Sequence, residues 1–441
     1  MIRAIWSLWI GVGVVLGPCV WAQDARVWNF ERAIVQVLAD SPDARMAELR
    51  IDAARAGMQQ ANAALWPQVH LESDYMRTDS PLRVFGSVLN QSAFSPTLDF
   101  NDVPQVDNFG VRAVVSVPLY AGGGILAGRD SAASHVSEAR LSSDAVRHQL
   151  AFEVARAFYT IDKSAGYVQV AEAGYAATEG NLEIVRHRFE GGTVLKTEVL
   201  QMEVSLAEAR ENRLAARNSH RLAIRALQTL LGLEGEEFEV DPRVPEMVPP
   251  VGADFSRRSE LAAALERTRM LEAEVRRARS GYKPQVNAFA SGDYNQGWEL
   301  NGSGENWTVG VMGRWNLWDG RRTRGRVREA EANLASAREA LRKTRLGIGF
   351  EVRQAQLNRE SASERAAAGA AAVALAEENV QLTRSRFEQG LEIASRMVNA
   401  ETALTAARIR AVNAESDQKI AWAALRRALG LPQTDGISGN L

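Results

Sequence analysis

Two stretches of the chain share one pattern: "RFEGGTVLKTEV" from Arg188 to Val199 and "RFEQGLEIASRM" from Arg386 to Met397. Phe189 and Phe387 are 198 positions apart (387 − 189 = 198). The same offset relates Leu119-Tyr120-Ala121-Gly122 to Leu317-Trp318-Asp319-Gly320, Glu203 to Glu401, and Leu231-Gly232-Leu233 to Leu429-Gly430-Leu431. One register without gaps therefore runs from about 119 to 233, which indicates an internal repeat.

Each repeat contains a long segment without proline, from Leu119 to Asp241 and from Gln285 to Leu431. Much of both segments consists of Ala, Leu, Glu, Arg and Gln, which are strong helix formers. We therefore expect two long helices in each repeat, joined at the glycine-bearing stretch. The first, from about 122 to 189, would be about 100 Å long. Helices of this length indicate a bundle or coiled coil.

Before each long helix lie two segments in which apolar and polar residues alternate. Their apolar positions are Val69, Leu71 and Tyr75; Val111, Ala113, Val115 and Val117; Val286, Ala288, Ala290 and Tyr294; and Trp307, Val309, Val311, Trp315 and Leu317. Each run has about ten residues, the length of a tilted membrane-spanning strand. Two hairpins of a soluble sheet are the alternative. Because four strands cannot close a barrel, a membrane barrel requires a dimer with about eight strands or a trimer with about twelve.

The first repeat carries an insertion. Pro67-Gln68-Val69 matches Pro284-Gln285-Val286 at an offset of 217, which exceeds 198 by 19 residues. The extra residues fall between about 78 and 108, where turn formers predict a long loop. We expect the segment from Asp79 to Asp107 to be extracellular, because both strand hairpins should turn on the side opposite the long helices.

The N-terminus has the pattern of a cleaved signal peptide over residues 1–22. Arg3 supplies a positive charge, Ala4 to Gly17 are largely apolar, and Val20-Trp21-Ala22 resembles a cleavage site. A retained membrane anchor is disfavoured because the apolar run is short. Lipidation of Cys19 is a second alternative, although Pro18 stands where such signals have a small flexible residue. After cleavage the chain would contain no cysteine, which excludes disulfides and thiol chemistry.

Composition and motifs exclude several classes of protein. The net charge is −2 and the basic residues are scattered, so a nucleic-acid partner is not expected. The five histidines lack metal-ligand spacing. The glycines from Gly122 to Gly124 resemble a dinucleotide motif, but the long helix after them favours a simple strand-to-helix elbow. We therefore predict no catalytic, cofactor-binding or metal site, and no enzyme.

These observations divide the chain into five parts. Residues 1–22 are the signal peptide and 23–233 the first repeat, with a helix, two barrel strands and a long helical hairpin. Residues 234–255 are a linker rich in proline and acidic residues, expected to lie at the equator of the helical part. Residues 256–432 are the second repeat, and 433–441 form a C-terminal tail.

The duplicated order of strands, long helices, "PQV" entries and "RF-E-x-G" turns resembles the TolC-type outer-membrane efflux channels over almost the whole chain after the signal peptide. The resemblance implies a mixed α/β membrane protein: a homotrimer with a 12-stranded β-barrel in the outer membrane and a long antiparallel α-helical tunnel across the periplasm. It also implies a passive exit duct served by a periplasmic adaptor protein and an inner-membrane pump of the RND, ABC or MFS type. An exported coiled-coil scaffold or binding protein without a pore is the alternative.

The same resemblance implies that the turns between the long helices form the periplasmic end of the tunnel and dock the adaptor. Glycine there suits the position after a helix end, and Thr197 and Ser395 suit the N-caps of the returning helices. The residues that this assigns to the adaptor-docking tip are Arg188, Phe189, Gly192, Thr197, Arg386, Phe387, Gly390 and Ser395.

Family channels carry gating acids six and nine residues after the tip glycine. Those positions hold Glu198 and Gln201 in the first repeat, and Arg396 and Asn399 in the second. The departure from a pair of aspartates puts an acidic constriction in doubt. In a trimer, Glu198 and Arg396 would alternate around a ring and attract each other across neighbouring hairpins. Two solvated helix starts are the alternative.

Overall fold

The computed structural model describes residues 27–97, 99, 101–234, 239–241, 243–244 and 252–434. The expected signal peptide, with Cys19, lies outside the described residues, as do parts of the linker and nearly all of the C-terminal tail. In the first half the elements are β1 Val27–Trp28, α1 Phe30–Asp40, α2 Pro42–Ala63, β2 Gln68–Thr78, α3 Pro81–Asn90, β3 Val106–Ala121, α4 Gly124–Glu190 and α5 Lys196–Leu230. In the second half they are β4 Glu239–Val240, α6 Ser259–Arg279, a 3-10 turn Ser280–Tyr282, β5 Gln285–Gly297, β6 Gly302–Arg314, α7 Arg322–Glu388 and α8 Ala394–Ala428.

The four long strands form one antiparallel sheet in the order β2-β3-β5-β6. Ala113 of β3 pairs with Leu71 of β2 on one side and with Gly292 of β5 on the other. The two hairpins are thus joined through β3 and β5. Alternate apolar residues of the outer strands are exposed in the single chain, among them Val69, Leu71, Val309 and Val311. The four predicted strands are confirmed, except that β6 ends at Arg314 and does not reach Trp315 and Leu317. Their exposed apolar face is typical of a lipid-facing sheet.

The helical part consists of two hairpins of equal dimensions. We name α4 with α5 the first hairpin, and α7 with α8 the second hairpin. The long helices α4 and α7 have 67 residues each, and the returning helices α5 and α8 have 35 each. Helix α2 packs beside the remaining part of α4 and α6 beside that of α7, while α4 packs against α8 to join the hairpins. The predicted pair of long helices in each repeat is confirmed.

Each strand-to-helix connection is an elbow. The residues before α4, Gly122 and Gly123, have φ of +64° and +83°, and the residue before α7, Arg321, has φ of +70°. A Cβ on Gly122 would come within 2.7 Å of the Ser280 carbonyl oxygen. The glycine run therefore makes a tight turn against the neighbouring chain segment, as the sequence predicts.

The insertion in the first repeat is not a loop throughout, because it contains the helix α3. Pro81 begins this helix in a position that suits proline. Val84 and Val88, one turn apart, are fully buried against Val106 with Leu300 beside them. Burial of this apolar face stabilises a helix that turn-forming residues alone do not predict.

The insertion is fixed to both strand hairpins by a buried amide. Gln91 is 1% exposed, and its Nε2 donates to the Asp107 carbonyl oxygen at 2.7 Å and to Asn108 Oδ1 at 2.9 Å. Asn108 Nδ2 in turn donates to Asn295 Oδ1 at 3.0 Å. The insertion is therefore packed onto the sheet.

The main core lies where the short N-terminal helix meets the middle of α4. Phe30 and Phe158 meet edge to face with ring centroids 5.5 Å apart, and Ile34, Val37 and Leu150 complete their surroundings. The strand β1 pairs in parallel with β4, close to this core. The start of the chain is thereby fastened to the segment between the repeats.

A buried arginine fixes the start of α6 against the end of α8. Arg258 is 4% exposed and donates to Glu260, to Glu351 and to the carbonyl oxygens of Arg427 and Ala428. Burial alone would raise the pKa of Glu260, but the hydrogen bond and charge of Arg258 outweigh it and hold that pKa below its ordinary value. Among the described helices, none is long and apolar enough to cross a membrane.

Candidate functional site: the two hairpin tips

The first hairpin turns through a glycine in the left-handed region. Gly192 has a φ of +72°, its N–H donates to the Phe189 carbonyl oxygen at 3.0 Å, and Thr193 N–H donates to that of Arg188 at 2.9 Å. This pair of bonds is a Schellman motif, with Gly192 at the C′ position. A side chain here would be strained because of its φ and not because of its neighbours.

The second hairpin repeats this geometry. Gly390 has a φ of +78°, its N–H donates to the Phe387 carbonyl oxygen at 3.0 Å, and Leu391 N–H donates to that of Arg386 at 2.9 Å. No heavy atom lies within 4 Å of a Cβ built on Gly192 or Gly390. Both glycines have the positive φ that the sequence predicts for the C′ position, and each tip leaves open space over its glycine within this chain.

The predicted N-caps are wrong. Leu195 caps α5 and Ile393 caps α8, and neither makes a side-chain capping bond. Thr197 and Ser395 are instead the second residues of these helices. Leu195 and Ile393 have extended backbones, with ψ of 154° and 157°, and the helices begin directly after them, two residues earlier than a cap at Thr197 or Ser395 requires.

The cap that α8 lacks from its own hairpin comes in part from the other one. Glu198 Oε2 accepts a hydrogen bond from Ala394 N–H at 3.3 Å. Ala394 is the first residue of α8, whose N–H has no partner within its helix. A carboxylate at this end is also favoured by the helix dipole. Glu198 therefore joins the two tips within one chain.

A second contact joins the tips through Arg188 of the first hairpin. Its guanidinium lies 4.6 Å from the centre of the Phe387 ring, and its Nη2 donates to the Glu388 carbonyl oxygen at 2.8 Å. Phe387 is 1% exposed, whereas Phe189 at the equivalent position is 43% exposed. The two aromatic residues that the sequence presents as equivalent thus have different surroundings.

Sequence reasoning missed one repeated ion pair. Arg186 and Glu203 join the two helices of the first hairpin at 2.7 Å, and Arg384 and Glu401 join those of the second at 2.8 Å. Both pairs are related by the offset of 198. Matching charged residues of opposite sign, 17 positions apart on either side of the turn, are the pattern that identifies them.

An apolar cluster lies directly behind the tips and holds the hairpins side by side. Its buried members are Leu182, Val185, Met202, Val380, Phe387, Ala394, Met397, Ala400 and Leu404. They come from all four long helices. The structure therefore brings both predicted turns to one end of the molecule.

The predicted gate residues lie on the first two turns of α5 and α8. Glu198 is half-buried, whereas Gln201, Arg396 and Asn399 are exposed in the single chain. Glu198 and Arg396 lie nearer the tips, and the equivalent residues Gln201 and Asn399 lie about one turn further along their helices. Within the described ranges, no group of three or more His, Cys, Asp or Glu residues could hold a metal ion.

Comparison with known proteins adds to this geometry. The outer membrane efflux protein family matches residues 33–233 and 255–431. The alkaline protease secretion protein AprF of Pseudomonas aeruginosa is 26% identical over 318 residues, which are 67% of this chain and 65% of AprF. The outer membrane protein TolC of Escherichia coli is 22% identical over 424 residues, which are 91% of this chain and 82% of TolC.

A solved structure agrees in fold. The outer membrane protein VceC of Vibrio cholerae superposes with a TM-score of 0.78 at 21% identity, covering 91% of this chain and 96% of VceC. The family match spans most of the chain and includes both repeats with their tips. The chain is thus an outer-membrane protein whose long helices extend into the periplasm, and it belongs to the outer membrane efflux protein family.

Proposed function

We propose that the chain is a passive exit duct for substrates that a pump drives through it, and that it has no enzymatic activity. The observation that carries this proposal is the arrangement of its two ends. A four-stranded sheet with an exposed apolar face lies at one end, and two hairpins of equal length finish side by side at the other. Such a chain can connect a membrane to a docking surface far from it.

Three subunits complete the duct. The four strands of one chain cannot close, and twelve strands from three chains leave an open lumen, whereas eight are filled by their own side chains. The six hairpins then surround a tunnel of about 100 Å, from the rise of a 67-residue helix. The edge strands β2 and β6 pair between subunits.

The tips dock a periplasmic adaptor protein, which links the duct to an inner-membrane pump of the RND, ABC or MFS type. The open space over Gly192 and Gly390 supports this role, since an adaptor hairpin needs room for close approach. The docking set comprises Arg188, Phe189, Gly192, Thr197, Arg386, Phe387, Gly390 and Ser395. Arg188 and Phe387 support it indirectly, by holding the two tips together.

The first two turns of α5 and α8 form the periplasmic gate, with Glu198, Gln201, Arg396 and Asn399 around the narrow end. Glu198 supports this role because it already joins neighbouring hairpins through Ala394. The exposed Arg396 brings positive charge to the same ring, so the constriction has mixed charge and not an acidic lining.

Fractionation and conductance test the proposal together. The protein should sediment with the outer membrane, require detergent for release, behave as a trimer in light scattering, and conduct ions in planar bilayers. A scaffold without a pore would remain soluble after lysis and give no conductance, and either result would refute the duct.

Tip variants test docking separately. Gly192→Trp with Gly390→Trp should leave the trimer intact but abolish export in cells, measured as accumulation of a fluorescent dye against a strain that lacks the gene. Gly180→Trp is the matched control, because Gly180 is an exposed glycine of α4 with open space around it, away from the tip. Wild-type export by the double tip variant would contradict a docking role.

A further inference from the structure

The contact between Arg188 and Phe387 occurs once in the chain, although the residues for it occur twice. Arg386 and Phe189 are the equivalent pair at the offset of 198, and both are exposed, Phe189 at 43%. The chain thus contains two equivalent arginine–phenylalanine pairs, of which Arg188 with Phe387 is in contact within the chain.

Apolar residues behind the tips show the same difference. Ile184 of α4 and Val398 of α8 pack against the cluster behind the tips. Their equivalents are Leu382 of α7 and Leu200 of α5, which are 59% and 49% exposed. We call the contact between two neighbouring hairpins a seam. A second seam equivalent to the one within the chain would bury Leu382 and Leu200, which are apolar like their equivalents but are exposed in the single chain.

A closed ring of identical subunits gives these surfaces a partner. In such a ring, each first hairpin is followed by the second hairpin of its own chain, and each second hairpin by the first hairpin of the next chain. The repeat makes the two kinds of seam equivalent. The exposed surface of the second hairpin therefore fits the exposed surface of the first hairpin in another subunit.

We propose that Arg386 of one subunit stacks on Phe189 of the next and donates to the Glu190 carbonyl oxygen, repeating between subunits the contact of Arg188 with Phe387 and Glu388. Leu382 and Leu200 pack behind this pair. This inference rests on the proposed trimeric duct, and it assigns to two predicted docking residues a prior role in holding subunits together. Phe189 is then an interface residue that the subunit next to it covers.

One position breaks the repetition. Arg396 stands where the second hairpin would need the equivalent of Glu198, and an arginine cannot accept a hydrogen bond from the Lys196 N–H that begins the neighbouring α5. The seam between subunits therefore has the stacked arginine but not the carboxylate cap.

Cysteine pairs distinguish the two seams on a denaturing gel. Arg386→Cys with Phe189→Cys, treated with a short bismaleimide, should give covalent dimers and trimers. Arg188→Cys with Phe387→Cys should react within one chain and keep the mobility of a monomer. Each single-cysteine variant is a control for crosslinks through Cys19 or between like positions.

Two results separate this seam from the duct itself. Trimers in light scattering together with monomer-sized products from Arg386→Cys/Phe189→Cys would overturn the seam and leave the duct intact. A wild-type protein that is monomeric in mild detergent would overturn both.

A variant without added cysteine gives an independent measurement. Phe189→Ala should lower the temperature at which the trimer dissociates, whereas Leu195→Ala, at an exposed turn position of the same hairpin, should not. Equal dissociation temperatures for Phe189→Ala and wild type would overturn the proposal.

Discussion

At the scale of single residues, the left-handed glycines are the positions where the tip geometry allows least substitution. Gly192 has a φ of +72° and no neighbour that a Cβ would touch, so strain is the only cost of a methyl group there. Gly180 has the same open space but lies in the regular part of α4. The two glycines are therefore a matched pair: both have room for a side chain, but only Gly192 has a left-handed backbone conformation.

We expect Gly192→Ala to destabilise the tip by about 1–2 kcal/mol, because alanine resists the left-handed region. Gly180→Ala should stabilise α4 by about 0.5–1 kcal/mol, because alanine is the better helix former. Amide hydrogen exchange reports both locally: exchange in residues 186–200 should be faster by roughly 5- to 30-fold in Gly192→Ala alone. Similar exchange in both variants would contradict the assignment.

The sequence allows two roles for Glu198, a gate residue or a solvated helix start, and the structure shows that it contacts the other hairpin tip. Glu198→Ala removes the acceptor for Ala394 N–H, so we expect more frequent opening of the tips and a higher conductance in planar bilayers. The bond is partly exposed, so the loss should be about 1 kcal/mol per tip and smaller in high salt. Glu211→Ala removes an equal charge further along α5 and should conduct like wild type. A Glu198→Ala channel with unchanged conductance in low salt would show that this contact does not close the tip.

At the scale of elements, the sequence best predicts those helices and strands whose formation depends on local residues alone. The absence of proline and the gap-free register predict four long helices and their equal lengths. Helix α3 was missed because it depends on burial of Val84 and Val88 against Val106 and Leu300, which only the folded chain brings together. The cap of α8 was misplaced for a similar reason, since the acceptor for Ala394 N–H is the carboxylate of Glu198, 196 residues away.

The candidate site divides in the same way. The tip glycines and their φ follow from the local pattern, but the different surroundings of Phe189 and Phe387 do not. Their local sequences are alike, and only the choice of neighbouring hairpin distinguishes them. The internal repeat therefore predicts which surfaces of the two hairpins are equivalent. It does not predict which of these surfaces is buried within a single chain.

The packed insertion refines the topology prediction. Because the loop around Gln91 is tied to the sheet, a tag belongs after Ser95, which is exposed and past the buried contacts. We expect this tag to be labelled on intact cells, and a tag after Thr193 at the tip only after the outer membrane is permeabilised. The reverse pattern would invert the orientation.

The junction of α6 and α8 predicts a dependence on acid. The pKa of Glu260 is below its ordinary 4.5 in the folded chain, so its stabilising charge is present above that value and is lost as the pH falls through the folded pKa. Glu260→Gln should flatten the decline of the melting temperature below about pH 4.5. Glu272→Gln is the matched control, because it removes another glutamate of α6, the exposed partner of Arg338. Parallel curves for all three proteins would contradict a role for Glu260.

At the scale of the whole molecule, different interactions hold the two ends of the chain together. The membrane end is a sheet that one chain leaves with unpaired edges, and the far end is a set of tips fastened by Arg188, Glu198 and the apolar cluster. In the proposed trimer each end is complete only among several subunits, although one contact between tips is already formed within a single chain. Assembly at that end therefore extends a contact that folding has made.

The equal hairpins also determine where the protein can change its length. A residue added to one arm alone would carry one tip out of the plane of the others, and in a trimer the same error would recur three times around the rim. From Pro67 and Pro284 onward the two repeats differ by 19 residues, all of them placed between β2 and β3, where no matching end has to be kept level. Evolution of this chain is consequently free to lengthen the outer loops one at a time, while a change in the reach of the tunnel must be made in both halves of the gene at once.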